Sequence, residues 1–310
     1  MRRLTLWSAC IVLATAVPLL AQWPDFPTGN VPRDAKGKPD LDGPTPKSAD
    51  GHPDLSGVWG LARTGGGRAG AAAAGGPNPG GPPPGGPPPA QANGATPPPP
   101  GGPGPGGPPA PPRVFNGYAT FFDVGAGLKD GLPLLPAAAE LLKQRKAENS
   151  KDNPDAHCLP LGLMQLHEHP QPRKIVQNPG LTVILYEAQG GVRQIFTDGR
   201  PLPPADAQPW WYGYSVGKWD GDTFVVETTG FRDDVWLDIG GSPLTNKGKM
   251  TERFHRPNYG TLDMEITFED PSVYSKPFTV KVRHRIMPDT DLIEFICGEN
   301  ERSVPHLVGK

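Results

Sequence analysis

Strict alternation of apolar and polar side chains towards the C-terminal end constrains this chain most. Leu262, Met264, Ile266 and Phe268 fall in one phase, with Asp263, Glu265 and Glu269 in the other. A second stretch repeats the pattern: Phe278, Val280, Val282, His284 and Ile286 against Lys281, Arg283 and Arg285. Successive strand residues point to opposite faces, so both stretches read as strands with one apolar face. Their outer faces carry acid and base respectively. Cross-strand ion pairs are therefore expected, each contributing roughly a few tenths of a kcal/mol when exposed.

Residues 213–231 extend the same logic. Two β-rich runs flank Asp220-Gly221, a strong short-range hairpin signal. A two-residue loop there puts Trp219 opposite Asp222, Gly217 under Phe224 and Tyr214 opposite Glu227. Both faces then carry large apolar groups, which suits a strand covered on two sides. Further strands are expected at 56–61, 174–177, 181–188, 192–197, 249–255, 261–268, 278–286 and 292–298. Pro179-Gly180 and Gly190-Gly191 punctuate the earlier ones as turns. Seven or more short antiparallel strands whose edges must be hidden favour a closed barrel. The fold class is thus all-β, an antiparallel lipocalin-like β-barrel with one accessory helix. That helix spans about 134–149, where Leu135, Ala138, Ala139 and Leu142 recur near helical spacing and Pro136 suits a first turn. It is expected to pack on the sheet.

Much of the 310-residue chain cannot join a core, because its 43 Pro and 41 Gly are concentrated. Over two thirds of residues 65–112 are Gly or Pro. Such a composition predicts a disordered insert, since it offers too little apolar area to offset the entropy of ordering. Residues 1–22, with Arg2-Arg3, an apolar run and Ala21, read as a secretory signal peptide, which implies a periplasmic or secreted protein with no integral membrane segment afterwards. The domain reading is signal peptide 1–22, extended arm 23–52, first barrel strand 53–64, insert 65–112 and barrel 113–310. Within the arm, residues 37–43 are echoed by 51–57, too short a repeat for a solenoid. Cys10 leaves with the signal. Cys158 and Cys297 remain, and in an oxidising compartment a disulfide between them is expected, contributing about 4–5 kcal/mol in the chain-entropy model; two separately buried thiols are the alternative.

A net charge of −2 and the lack of a basic block argue against nucleic acid. No phosphate-cradling loop, dinucleotide fingerprint or convincing carboxylate pair occurs, so no cofactor is expected. Gly213-Tyr214-Ser215-Val216-Gly217 matches the nucleophile-elbow pattern, but Ser215 lies within a hairpin arm where strand, turn and helix would be needed. His167-Glu168-His169 would need a third ligand from His157, His284 or His306, and Pro170 and Pro172 suggest a solvated loop, so no metal site is assigned. Asp198-Gly199-Arg200-Pro201 reads as a turn. Trp210, Trp211 and Tyr212 either rim a pocket or fill a core. His284 is the lone polar member of an apolar face. Glu187, Arg193 and Glu227 lie on strands from which they could enter a lumen, paired, or face solvent after a one-residue slip.

Several runs together carry a resemblance: residues 53–59 (PDLSGVW), 194–200 (QIFTDGR), 213–231, 251–254 (TERF) and 297–309. They resemble a family of uncharacterised secreted bacterial proteins, over 50–61 and most of 155–310. The family brings no assigned activity, and the Gly/Pro-rich insert departs from its compact members. Gly57-Val58-Trp59 opening a β-meander is also similar, distantly, to the first strand of lipocalin-type barrels. The first expectation is a barrel that binds a small, largely apolar molecule, lined by Trp59, Tyr186, Arg193, Trp219, Glu227 and His284. One alternative is a periplasmic hydrolase or isomerase pairing His284 with Glu227 or Glu187. The other is a structural module of the cell envelope.

Overall fold

In the computed structural model, residues 28–62 and 115–296 are described. The expected signal peptide, the insert 65–112, Cys10, Cys297 and His306 lie outside them. The strands are β1 (Gly57–Leu61), β2 (Arg173–Asn178), β3 (Leu181–Tyr186), β4 (Val192–Phe196) and β5 (Tyr214–Asp220). They continue with β6 (Thr223–Thr229), β7 (Lys249–Asn258), β8 (Thr261–Glu269) and β9 (Phe278–Ile286), and close in sequence order into a barrel.

Alternation becomes packing as expected. Leu262, Met264, Ile266 and Phe268 of β8 and Val280, Val282 and Ile286 of β9 join one buried core. Outside, Asp263 pairs with Arg283 and Glu265 with Lys281. Eight of the nine neighbour pairings are antiparallel; β4 and β5 run parallel, joined by only Ile195↔Ser215 and Phe196↔Val216. A wholly antiparallel barrel therefore needs correction. With an odd number of strands in a closed ring, one neighbouring pair must be parallel.

Three local expectations also change. The β5–β6 register is displaced by two residues: Trp219 faces Phe224, Gly217 faces Val226 and Tyr214 faces Thr229. Asp220 pairs with Thr223, so the turn is Gly221-Asp222, and Gly221 supplies positive φ (59°) at its first position. That is what a II′ turn asks of glycine. A two-residue shift preserves every face, and Gly217 still lies beneath the Phe224 ring, where a Cβ would come within 2.5 Å of Cζ. Residues 292–296 make only an isolated bridge from Phe295 to Ala188 in place of a strand. The helix α1 (Pro136–Ala147) buries Ala138 alone, and its Arg145 lies 4.3 Å over Trp236. It sits against the loop that covers one barrel end, away from the sheet.

The arm is folded, and its echo is structural. Bonds Asp34 N to Lys38 O, Gly37 N to Asp34 O and Asp40 N to Pro32 O recur fourteen residues on (34 to 48, 38 to 52) as Ser48 N to His52 O, Gly51 N to Ser48 O and Asp54 N to Pro46 O. Two copies of one miniature hairpin thus precede β1. The second buries Leu55 beneath the barrel; the first lays Leu41 on the β7–β8 turn, through Gly260 N to Leu41 O. His52 stacks on Trp219 at 4.7 Å, completing the cover of this end.

A helix with no counterpart in the sequence reading enters from the other end. All six residues of α2 (Leu163–Glu168) are buried. Leu163, Met164 and Leu166 are apolar on every side of so short a helix, so it has no solvent face to offer. Gly162 permits the approach, since a Cβ there would sit 2.0 Å from Trp236 O.

Candidate functional site

Four consecutive strands turn a polar side chain inward at the same level: Arg193 (β4), Ser215 (β5), Thr228 (β6) and Glu252 (β7), none more than 2 % exposed. The Arg193 guanidinium is the hub. Its Nε donates to Ser215 Oγ (3.1 Å), Nη2 to Thr228 Oγ1 (3.0 Å), and Nη1 and Nη2 to the two carboxylate oxygens of Glu252 (2.9 Å for Nη1). The planar fork matches a carboxylate in this bidentate way, whereas an ammonium would not. Burial works against ionisation of Glu252, but the Arg193 charge and the bonds from His167 and Arg193 outweigh it and hold the carboxyl down to about 2.

The helix α2 completes the cluster. His167 Nε2 lies 2.8 Å from Glu252 Oε1, and its ring is 6.3 Å from those of Tyr186, Phe254 and His284. Burial lowers the His167 pKa despite the opposing pull of Glu252. The imidazole is therefore neutral, Nε2–H donates to the carboxylate, and Nδ1 carries a bare lone pair. Arg173 closes the C-terminal end of α2, where unpaired carbonyls need donors: Nη1 to His167 O (2.7 Å), Nη2 to His169 O (2.8 Å) and Gln171 O (3.0 Å). His284 Nε2 donates to the same His167 carbonyl at 2.8 Å and touches Arg173 Nη1. Burial, then the Arg173 charge, keep His284 neutral. Glu168, buried beside them, is pushed up to about 8 by desolvation, against the pull of Arg173. Its neighbour His169 is lowered to about 4 by burial and by Arg173.

Within this network, His167 Nδ1, Arg173 Nε and Tyr186 Oη are buried without a hydrogen-bond partner among the described residues. Arg173 and Tyr186 are register partners on β2 and β3, both facing the lumen, and Tyr186 adjoins His167. Apolar walls surround them: Ile184, Phe254, Met264 and Val282, each at most 2 % exposed. A void of ligand size, typically about 300 Å³ or more, would leave accessible area on its walls. These walls have almost none, because α2 fills the lumen. The concavities include a hollow of about 380 Å³ on the outer wall, lined by Thr223, Arg253, His255, Asp263 and Glu265.

Of the six expected lining residues, Tyr186, Arg193 and His284 meet in the cluster. Trp59 is wholly buried and pairs with Arg173 across β1 and β2, but its side chain turns away from the cluster, its Nε1 bonded to Leu55 O and its ring 4.8 Å from Arg256. Trp219 faces inward at that rim against Phe224 and His52. Glu227 points outward and pairs with Lys249, and Glu187, also outside the lumen, accepts from Ile293 N at 3.1 Å. Neither can reach His284 through the barrel wall, so the pairing of His284 with Glu227 or Glu187 is replaced by His167 with Glu252. The solvated loop expected at residues 167–169 is likewise corrected: His167 is 1 % exposed at the end of α2. Ser215 lies within a strand, bonded to Arg193 and Thr228. Trp210 is exposed and packs on Tyr214, outside the lumen. Cys158 occupies a left-handed position (φ 57°) closing the turn Pro154–His157. No group of three or more His, Cys, Asp or Glu placed to hold a metal occurs among the described residues.

Glu252 was legible by the signal that singled out His284, a polar residue in an apolar phase. It alternates with Met250 and Phe254 on β7.

The described residues thus form a closed, nine-stranded β-barrel around an ionised, hydrogen-bonded cluster, with no helix long and apolar enough to cross a membrane. No protein-family model matches the chain, and no curated protein and no solved structure matches it.

Proposed function

We propose that this chain is an exported, lipocalin-like barrel that binds a small, largely apolar molecule by its oxygen-bearing end. The observation that carries the reading is the set of partnerless polar atoms on His167, Arg173 and Tyr186 beside the paired Arg193–Glu252 cluster, since buried polar groups are normally satisfied. Sparse polar groups amid apolar walls are what a small-molecule site uses to fix orientation. Binding requires α2 to shift, because its side chains occupy the space. The sequence adds a periplasmic or secreted location from residues 1–22, a Cys158–Cys297 disulfide and likeness to a family of secreted bacterial proteins. It gives no reason to expect nucleic acid as a partner.

Native mass spectrometry of the full protein, purified from its secreting host, tests the reading. A co-purifying small molecule is expected, and its removal should speed hydrogen exchange at residues 163–168. If nothing co-purifies and those amides exchange only through global unfolding, the barrel is a filled structural body and the reading fails.

One observation favours a second reading, acid-base catalysis. Glu252 fixes the Nε2–H tautomer of His167 and leaves Nδ1 as a free base, an orienting arrangement shared by many hydrolases. Turnover of a p-nitrophenyl ester panel, abolished by His167→Gln, would move the assignment to this reading.

A further inference from the structure

Every ionised group in the lumen cluster has its counter-charge except one. Arg193 is matched by Glu252. Arg173, 2 % exposed, has no carboxylate within ion-pair distance among the described residues. Its two terminal nitrogens are taken by backbone carbonyls, which carry partial charge only. Its Nε remains without an acceptor, and the hydroxyl of Tyr186, its register partner across β2 and β3, has no partner at full hydrogen-bond distance, although the Arg193 guanidinium lies near enough to act on it. The groups facing this pair are Arg193 and Glu252, which neutralise each other, the imidazoles of His167 and His284, and Glu168, which makes no ion pair with Arg173. Buried charges are costly unless paired, and among the described carboxyls Arg173 has only Glu168, held protonated up to about pH 8, near enough to act on it, so its charge lies unpaired beside two donors carried on directly paired positions of β2 and β3.

From this we infer that the bound molecule is an organic acid, its carboxylate accepting from Arg173 Nε and Tyr186 Oη with its apolar body in the part of the lumen that a shift of α2 opens. The inference rests on the binding reading above and specifies the head group. A carboxylate supplies both the missing charge and two acceptor oxygens, and a hydrogen bond to a charged group is stronger than one between neutral groups. An alcohol or ester of the same length offers the acceptor without the charge. A free inorganic anion offers the charge without the apolar body.

Isothermal titration of the full protein with sodium decanoate, decanol and sodium chloride separates these cases. Decanoate is expected to bind about tenfold or more tightly than decanol, and chloride not to compete at equal concentration. Tyr186→Phe, which keeps the ring, should weaken decanoate severalfold and decanol by less, since a bond to a neutral oxygen is the weaker one; Arg173→Gln should erase the preference for the acid. Equal affinity for decanol and decanoate would overturn the acid assignment while leaving the binding barrel intact. Chloride displacing decanoate without binding of the chain would show a bare anion site and overturn it too. If neither decanoate nor decanol binds, and Tyr186→Phe changes nothing, the donors are satisfied by ordered water alone, and the inference falls together with the reading beneath it.

Discussion

Glu252 illustrates what a single charge does inside this barrel. It is 0 % exposed and, among the described residues, the only carboxylate that matches the Arg193 fork. Glu252→Gln leaves Arg193 buried without its counter-charge, which should cost about 3–5 kcal/mol in urea unfolding at pH 7. Because the folded pKa lies near 2 and the ordinary value is 4.5, the stability it contributes is full above pH 4.5 and lost as pH falls towards 2. Glu168 has the opposite sign. The folded state keeps its proton up to about pH 8 while the unfolded chain releases it from about 4.5, so stability should decline between those values and then level off. Glu168→Gln removes that decline: urea midpoints at pH 7 and 8, above the range where the buried neutral His167, His169 and His284 contribute, should converge, with the variant the more stable protein at pH 8. Reading inward-facing positions from sequence alone singled out His284, which interrupts an apolar phase, and left Arg193 open to either face with Glu187 and Glu227, of which the fold turns only Arg193 inward. It missed Arg173 and His167, whose roles depend on a helix that phase arguments on strands do not reveal.

Among the elements, α2 shows why. Six residues are too few to display a helical period, and Pro170 and Pro172 just beyond them mimic an irregular loop. Its stability comes from burial, with Arg173 closing one end and Gln165 Oε1 accepting from Gly162 N at the other. Gly162→Ala should therefore destabilise the protein by about 1–3 kcal/mol, as overpacking does, and raise hydrogen exchange at 163–168 before the rest of the barrel responds. The hairpin β5–β6 was legible to its faces and not to its register. Alternation fixes parity, but the choice between Asp220-Gly221 and Gly221-Asp222 depends on which residue takes positive φ. The long strands β8 and β9 were readable almost to the residue, since each repeats its phase over nine positions.

Across the whole molecule, the insert leaves and re-enters the fold at nearly one place. Ala62 N bonds to Arg283 O, and Gly117 O accepts from Lys281 N, so residues 62 and 117 meet β9 two positions apart (283 and 281). A short Gly/Ser link in place of 65–112 should thus preserve the barrel, with a thermal midpoint within a few degrees of the parent protein by calorimetry. The barrel itself was foreseeable because so many short strands, each with an apolar face, leave edges that only closure hides. Its parallel β4–β5 contact was not, because it depends on how the long connection 197–213 returns.

That contact has only two paired positions, and on its inner side Arg193 holds β4 to β5, β6 and β7 through Ser215, Thr228 and Glu252. Side chains do there what backbone does elsewhere in the ring. Arg193→Met should consequently fail by lateral opening, producing a flat sheet with two raw borders. Such borders recruit strands from other molecules, so light scattering should register soluble assemblies at temperatures where the parent chain's mass is unchanged and the variant still retains most of its far-ultraviolet β signal.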